Sequence, residues 1–186
     1  HQCARFSSDP KQSHANALRY IGKYMSGTKD EGIYLDPQQD KSFECWVDAD
    51  FLGQYVKGAT DMHLDAMTAK SRTGYLITYA GCPITWGSKL QRESALSTTE
   101  SEYMAISESF RSLLPMMDLL EEAREKGVPV RSGPPVVHCK AFEDNSGAME
   151  LARLPKMRPR TKHINVKYHH FREAVAKGRV TVQHVG

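Results

Sequence analysis

Thr73-Gly-Tyr-Leu-Ile-Thr-Tyr79, then Ile84-Thr-Trp-Gly-Ser88, then Ser97-Thr-Thr-Glu100 follow one another in the middle of the chain, and how they are read decides the fold. The first two are rich in β-branched and aromatic residues and are joined only by a turn at Gly81 and Pro83. So short a connection makes them antiparallel neighbours in a hairpin. The period then changes. Ser97-x-x-Glu100 is a capping-box pattern, and Tyr103, Ile106, Phe110 and Leu113-Leu114 follow at helical spacing. Pro115 lacks an N–H and clashes with the preceding turn, so a kink or break is expected there, with Met116 to Glu125 resuming as a second helical run.

Working outward, Phe43-Glu-Cys-Trp-Val-Asp48 has strand composition and ends in a carboxylate, and Gly53 to Arg72 reads as an exposed loop. Upstream, Ala17, Leu18, Ile21 and Met25 give a helix over 14–26 with Gly27 as its C-cap. The polar run from Asp36 to Lys41 is a linker, which predicts one unit over 1–40 and a second over 41–186. Downstream, Pro134-Pro135 precede a strand Val136-Val-His-Cys139, and Asn145 to Leu151 is a short helix. Thr161 to Lys177 reads as a helix with Ile164, Tyr168, Phe171 and Val175 inward, and Arg179 to Val185 as a closing strand. The order β-β-β-α-β-α-α-β predicts an α/β fold. It has one mixed five-stranded sheet, the first three strands antiparallel, with helices on both faces.

A chain of 186 residues with 40% hydrophobic and 25% charged residues can bury a full core. The net charge of +3 is too small to argue for a polyanionic partner. Cys3, Cys45, Cys82 and Cys139 contain no Cys-x-x-Cys pair; the last three sit in apolar runs and read as reduced core residues of an intracellular protein. No apolar run approaches the roughly 18 residues of a membrane span. His1 supplies no initiator Met and Gly186 directly follows a strand-like run, so a piece of a longer chain is expected.

Three acids sit where this strand order would gather them. Asp48 ends the first strand, Glu102 lies in the first turns of the long helix, and Asp144 follows the fourth strand. Groups beyond the carboxyl ends of strands share one crevice in an open α/β sheet. Several carboxylates suit Mg²⁺ or Mn²⁺, and two such ions about 3.5–4 Å apart can activate water against a phosphodiester. Each acid alone is equally a turn residue or a helix-start acid. From Lys156 to Arg179, eight Lys or Arg face the single Glu173, a local +7, with His163, His169 and His170 added. This is either a phosphate-binding stripe or a solvated helix face. Arg160, Lys162 and Lys167 are its candidate contacts. Adjacent His169 and His170 point to different sides of a helix and do not suggest zinc, and Trp46 and Trp86 read as core. Ser97 to Thr99 lack a Gly-x-Ser-x-Gly elbow and read as caps rather than nucleophiles.

Six blocks carry a family resemblance: Trp46-Val-Asp-Ala-Asp-Phe-Leu-Gly53, Ser71-Arg-Thr-Gly-Tyr75, Ile84-Thr-Trp-Gly-Ser-Lys-Leu-Gln91, Leu96-Ser-Thr-Thr-Glu-Ser-Glu-Tyr-Met-Ala105, Glu143-Asp-Asn-Ser-Gly-Ala148 and Arg160 to Glu173. In this order they resemble the ribonuclease H domain of copia-type retrotransposon Pol polyproteins, and Ala4 to Thr28 is similar to the end of the family's reverse transcriptase region. The resemblance implies a ribonuclease H-like fold that hydrolyses the RNA strand of RNA–DNA hybrids, with a pair of Mg²⁺ or Mn²⁺ ions. It places catalytic and metal-binding roles on Asp48, Glu102 and Asp144, with Asp50 a second candidate for the first position. It leaves Glu100 as the capping acid. Ser97, Asn145, His163, Arg160, Lys162 and Lys167 are the implied nucleic-acid contacts, made to backbone and 2′-hydroxyl groups. Expected partners are the hybrid and an adjoining reverse transcriptase, with no membrane and no small-molecule cofactor, in a cytoplasmic virus-like particle or the nucleus. The family's fourth carboxylate lies in an Ala-Asp motif that would fall past Gly186. The resemblance therefore implies weak or absent activity for residues 1–186, or a non-catalytic module that positions hybrid for the polymerase.

Overall fold

The computed structural model describes residues 2–53, 69–130, 137–154, 164 and 166–185. The chain divides into two compact units, His1–Tyr34 and Leu35–Gly186. The first contains α1 (Gln2–Arg5) and α2 (Gln12–Gly27), the latter with Thr28 rather than Gly27 as its C-cap. Phe6 stacks on His14 at 4.2 Å between ring centroids.

The second unit is built on β1 (Phe43–Asp50), β2 (Arg72–Tyr79), β3 (Cys82–Leu90), β4 (Cys139–Glu143) and β5 (Val180–His184), ordered β3-β2-β1-β4-β5. The β1–β2 and β2–β3 pairs are antiparallel, while β4 runs parallel to both β1 and β5. This is the mixed sheet the element order implies. β1 alternates as its sequence does, with Phe43, Cys45, Val47 and Ala49 buried and Trp46, Asp48 and Asp50 exposed. At the β2–β3 hairpin, Ala80 and Gly81 both have positive φ (53° and 77°), the backbone a two-residue turn of matching twist requires. Pro83 is tolerated because β3 is the edge strand.

α3 (Thr98–Glu125) is one continuous helix. The expected break at Pro115 does not occur. Pro115 lies on the exposed side, as does Arg111 one turn before it, while Phe110, Leu113 and Met117 are buried on either side. Burial of those three offsets the proline's cost of roughly 3 kcal/mol. β4 begins at Cys139 and extends to Glu143, later than the expected 136–139; residues 131–136 lie outside the described chain. α4 (Ser146–Arg153) buries Ala148, Met149 and Ala152.

The expected helix over 161–177 is broken. Its described part is a 3₁₀ turn (Val166–His169) followed by α5 (Arg172–Ala176). The inward spacing survives the break, because Ile164, Tyr168 and Phe171 are all buried and Phe171 packs edge-on against Phe110 at 5.0 Å. Cys45 and Cys139 are buried free thiols, and Cys82 is half-buried.

Trp46 and Trp86 are not core. They are 39% and 64% exposed, on the opposite face of the sheet from Cys45 and Ile77. Trp46 stacks on Phe142 of the neighbouring strand at 4.1 Å. Strand composition marked both tryptophans as apolar, but their even register with Asp48 puts them on the outer face.

Candidate metal centre

β1 and β4 are parallel neighbours with Trp46 level with Phe142. Continuing that register by two residues sets position 48 beside position 144, about one strand spacing away. Asp48 therefore stands next to Asp144, two residues before the end of β1, which runs past the expected end at 48 to Asp50, and both acids are exposed. α3 crosses β1 and brings Glu102, buried in its second turn, to the same point. One carboxylate oxygen from each of Asp48, Glu102 and Asp144 lies within 4.8 Å of the others. These three form the one such acidic group among the described residues. Asp50 stands apart from it. Its carboxylate folds over the Gly53 turn so closely that a Cβ on Gly53 would fall 1.9 Å from Asp50 Oδ2.

The electrostatics are strained in one direction. The Glu102 carboxyl is pushed up to about 8, first by burial and then by the charges of Glu143, Asp48 and Asp144; the Ala49 N–H opposes the shift. Its Oε2 is buried without a hydrogen-bond partner among the described residues. A buried orphan acceptor beside two exposed carboxylates fits a hard divalent cation, which would accept all three oxygens and relieve their repulsion. Asp48, Glu102 and Asp144 are the residues that could hold it.

Glu143 is the site residue that motif reading passed over. It is 1% exposed and pushed up to about 7, mainly by burial, against the pull of the Asn145 N–H, which donates to Oε1 at 3.1 Å. The signal was available in the alternation, because Cys139, Ala141 and Glu143 are the inward positions of β4. A carboxylate at the third inward position is an acid placed behind the site.

Ser97 is the N-cap of α3, its hydroxyl accepting from the Glu100 N–H at 3.1 Å. Glu100 completes the start of the helix by accepting from the Leu96 N–H at 2.8 Å. Asn145 caps α4 by accepting from the Ala148 N–H at 2.9 Å, and also accepts from the Thr99 hydroxyl at 3.3 Å. Both oxygens are thus engaged as helix caps, and Asn145 directly follows Asp144 in the chain. Lys167 pairs with Glu93 at 2.5 Å. His169 hydrogen-bonds the Tyr103 hydroxyl at 2.6 Å, and His170 approaches Ser107 at 3.4 Å. Arg160, Lys162 and His163 lie outside the described residues.

No protein-family model matches the chain. It is 35% identical over 176 residues to the retrovirus-related Pol polyprotein from transposon RE2 of Arabidopsis thaliana, covering 95% of this chain and 11% of that protein. It is 34% identical to the corresponding polyprotein from transposon TNT 1-94 of Nicotiana tabacum, over 92% of this chain and 11% of the polyprotein. The chain thus spans about a tenth of the length of these relatives. Among solved structures it is similar to the RNase H1 called LC11, isolated from compost, at 12% identity and a TM-score of 0.46, covering 77% of this chain and 84% of that one.

Proposed function

The chain belongs to the family of retrovirus-related Pol polyproteins from transposons, and on that premise we propose that it is the family's ribonuclease H-like domain, a metal-dependent endonuclease cutting the RNA strand of RNA–DNA hybrids. The observation that carries the proposal is the convergence of Asp48, Glu102 and Asp144 oxygens within 4.8 Å, with Glu102 Oε2 buried and unpartnered.

When bound at such carboxylates, Mg²⁺ or Mn²⁺ supplies charge neutralisation at the phosphodiester and lowers the pKa of water. The chain's own residues do the rest. Asp48 and Asp144, both exposed, form the solvent side from which a phosphate backbone approaches. Glu102 holds its position through the Ala49 N–H and keeps a proton on its carboxyl until pH about 8. That proton must leave before all three acids are ionised. Glu143 stays behind the triad, outside the group of three converging carboxylates. Lys167 adds positive charge, and its exposed pairing with Glu93 is weak enough to exchange for a phosphate. The His1–Tyr34 unit is, on this reading, the end of an adjoining reverse transcriptase region. The hydrolase acts where the element is reverse transcribed, in a cytoplasmic virus-like particle or the nucleus.

One feature favours a second reading, a module that grips hybrid without cutting it. Three carboxylates rather than four gather among the described residues, and the central one is held neutral up to about pH 8. The experiment is cleavage of a labelled hybrid with Mg²⁺ or Mn²⁺ by this chain, by its Asp48→Asn variant and by a form extended past Gly186. Cutting by the chain or its extended form, abolished by Asp48→Asn, supports the nuclease. Salt-sensitive binding with no cutting by any form supports the module.

A further inference from the structure

Thr99 sits one helical turn before Glu102, and Asn145 directly follows Asp144. The contact between them therefore lies next to two of the three converging carboxylates. The Thr99 hydroxyl donates to Asn145 Oδ1 at 3.3 Å, and the same oxygen accepts from the Ala148 N–H at 2.9 Å. Gly147 closes the contact. A Cβ placed on it would fall 2.9 Å from Thr99 Oγ1, 3.0 Å from Thr99 Cγ2 and 3.2 Å from Asn145 Oδ1. No positive φ accounts for this glycine, so space alone requires it. Thr99 cannot easily turn aside, because a β-branched side chain in a helix is stiff at χ1 and this one is also hydrogen-bonded.

We propose that Thr99, Asn145 and Gly147 act as a spacer that fixes the separation of Glu102 and Asp144, and so sets the affinity of the centre for a divalent cation. The proposal rests on the reading of Asp48, Glu102 and Asp144 as cation ligands. Oxygens about 2.1 Å from one octahedral ion lie at most about 4.2 Å apart. The three oxygens lie within 4.8 Å of one another, close to that span, so anything that pushes α4 from α3 carries Asp144 away from Glu102 and from a shared ion. These are positioning residues. None needs to touch the ion or the substrate.

The test is Mn²⁺ titration of the full chain, read from the paramagnetic resonance of free Mn²⁺, with folding checked by circular dichroism. Gly147→Ala is expected to weaken binding about tenfold, the lower end of what outer-shell partners contribute. Thr99→Ser keeps the hydroxyl and is expected to bind as the parent does. Added to Gly147→Ala, it removes Cγ2 and the χ1 restriction and restores affinity to within about threefold, a non-additivity that general destabilisation would not produce. If Gly147→Ala does not fold, Thr99→Val carries the test, with an expected loss of about threefold from the missing hydroxyl. Unchanged affinity in Gly147→Ala or, where that variant is unfolded, in Thr99→Val overturns the proposal. So does the lack of rescue by Thr99→Ser, or no Mn²⁺ binding by the parent chain. Hybrid cleavage is a separate readout. This order of affinities, with no cutting of hybrid by the chain or by its form extended past Gly186, removes the nuclease reading and keeps the spacer.

Discussion

The two halves of α3 differ in what they bury beside their apolar residues. From Glu100 to Ser109 the helix buries Glu100, Ser101, Glu102, Ser107 and Ser109 along with the apolar Tyr103, Met104, Ala105 and Ile106, whereas from Phe110 to Met117 its buried residues are the apolar Phe110, Leu113 and Met117 alone. Buried hydroxyls need partners, and two of the serines find them within the helix: Ser101 donates to Thr98 O at 2.7 Å and Ser109 to Ile106 O at 2.8 Å. Glu102 differs, with one oxygen left unsatisfied. The second half adds only apolar core, whereas the first half adds to its core residues a buried carboxylate, at a cost in stability, where on the proposed reading a cation would use it. A group that is poorly satisfied by its own protein, inside an otherwise satisfied helix, is the place to look for function.

The largest effect that would sharpen this contrast is on activity. Glu102→Gln should reduce hybrid cleavage by about 10²–10³-fold, the order seen when one preorganised electrostatic contact is lost. At pH 8 the same change should leave the metal-free fold as stable as before or more so, because an ionising buried carboxyl becomes a neutral amide. Thermal melting in EDTA checks the second half of the statement, and a loss of stability there would break the contrast. Phe110→Ala should do the reverse. It should cost about 3–5 kcal/mol of stability in a denaturant titration while leaving the Mn²⁺ affinity of the folded chain unchanged.

A smaller effect concerns pH. The Glu102 and Glu143 carboxyls, ordinarily near 4.5, titrate at about 8 and about 7 in the folded chain, so the folded state holds protons that the unfolded state has released. Their contribution to metal-free stability is fully present below about pH 4.5 and is lost as pH rises through about 7 and 8. Melting temperatures in EDTA should fall across that window, and Mg²⁺ should restore most of the loss at its upper end. A flat profile from pH 5 to 8 would contradict the buried-carboxylate account. The smallest effect is at the helix start, where Ser97→Ala should cost about 1 kcal/mol through loss of the cap.

Much of this was legible in the sequence, for physical reasons that differ by element. The composition of Phe43 to Asp48 marked β1 as a strand, and the capping pattern at Ser97 gave α3 its start. The meeting of Asp48 and Asp144 follows once β1 and β4 are known to be parallel and in register. What could not be read was tertiary. Pro115 looked like a break because its exposed position was unknown, and Trp46 and Trp86 looked like core because strand composition does not say which face is covered. The choice between Asp48 and Asp50 rests on the Gly53 turn, a contact with no periodic signature.

The most direct measurement is a crystal of this chain soaked in Mn²⁺ and read by anomalous scattering. The account requires a peak about 2.0–2.2 Å from oxygens of Asp48, Glu102 and Asp144 together, lost in Asp48→Asn. A peak held by Asp50 without Glu102, or no peak at this end of the sheet, would contradict it.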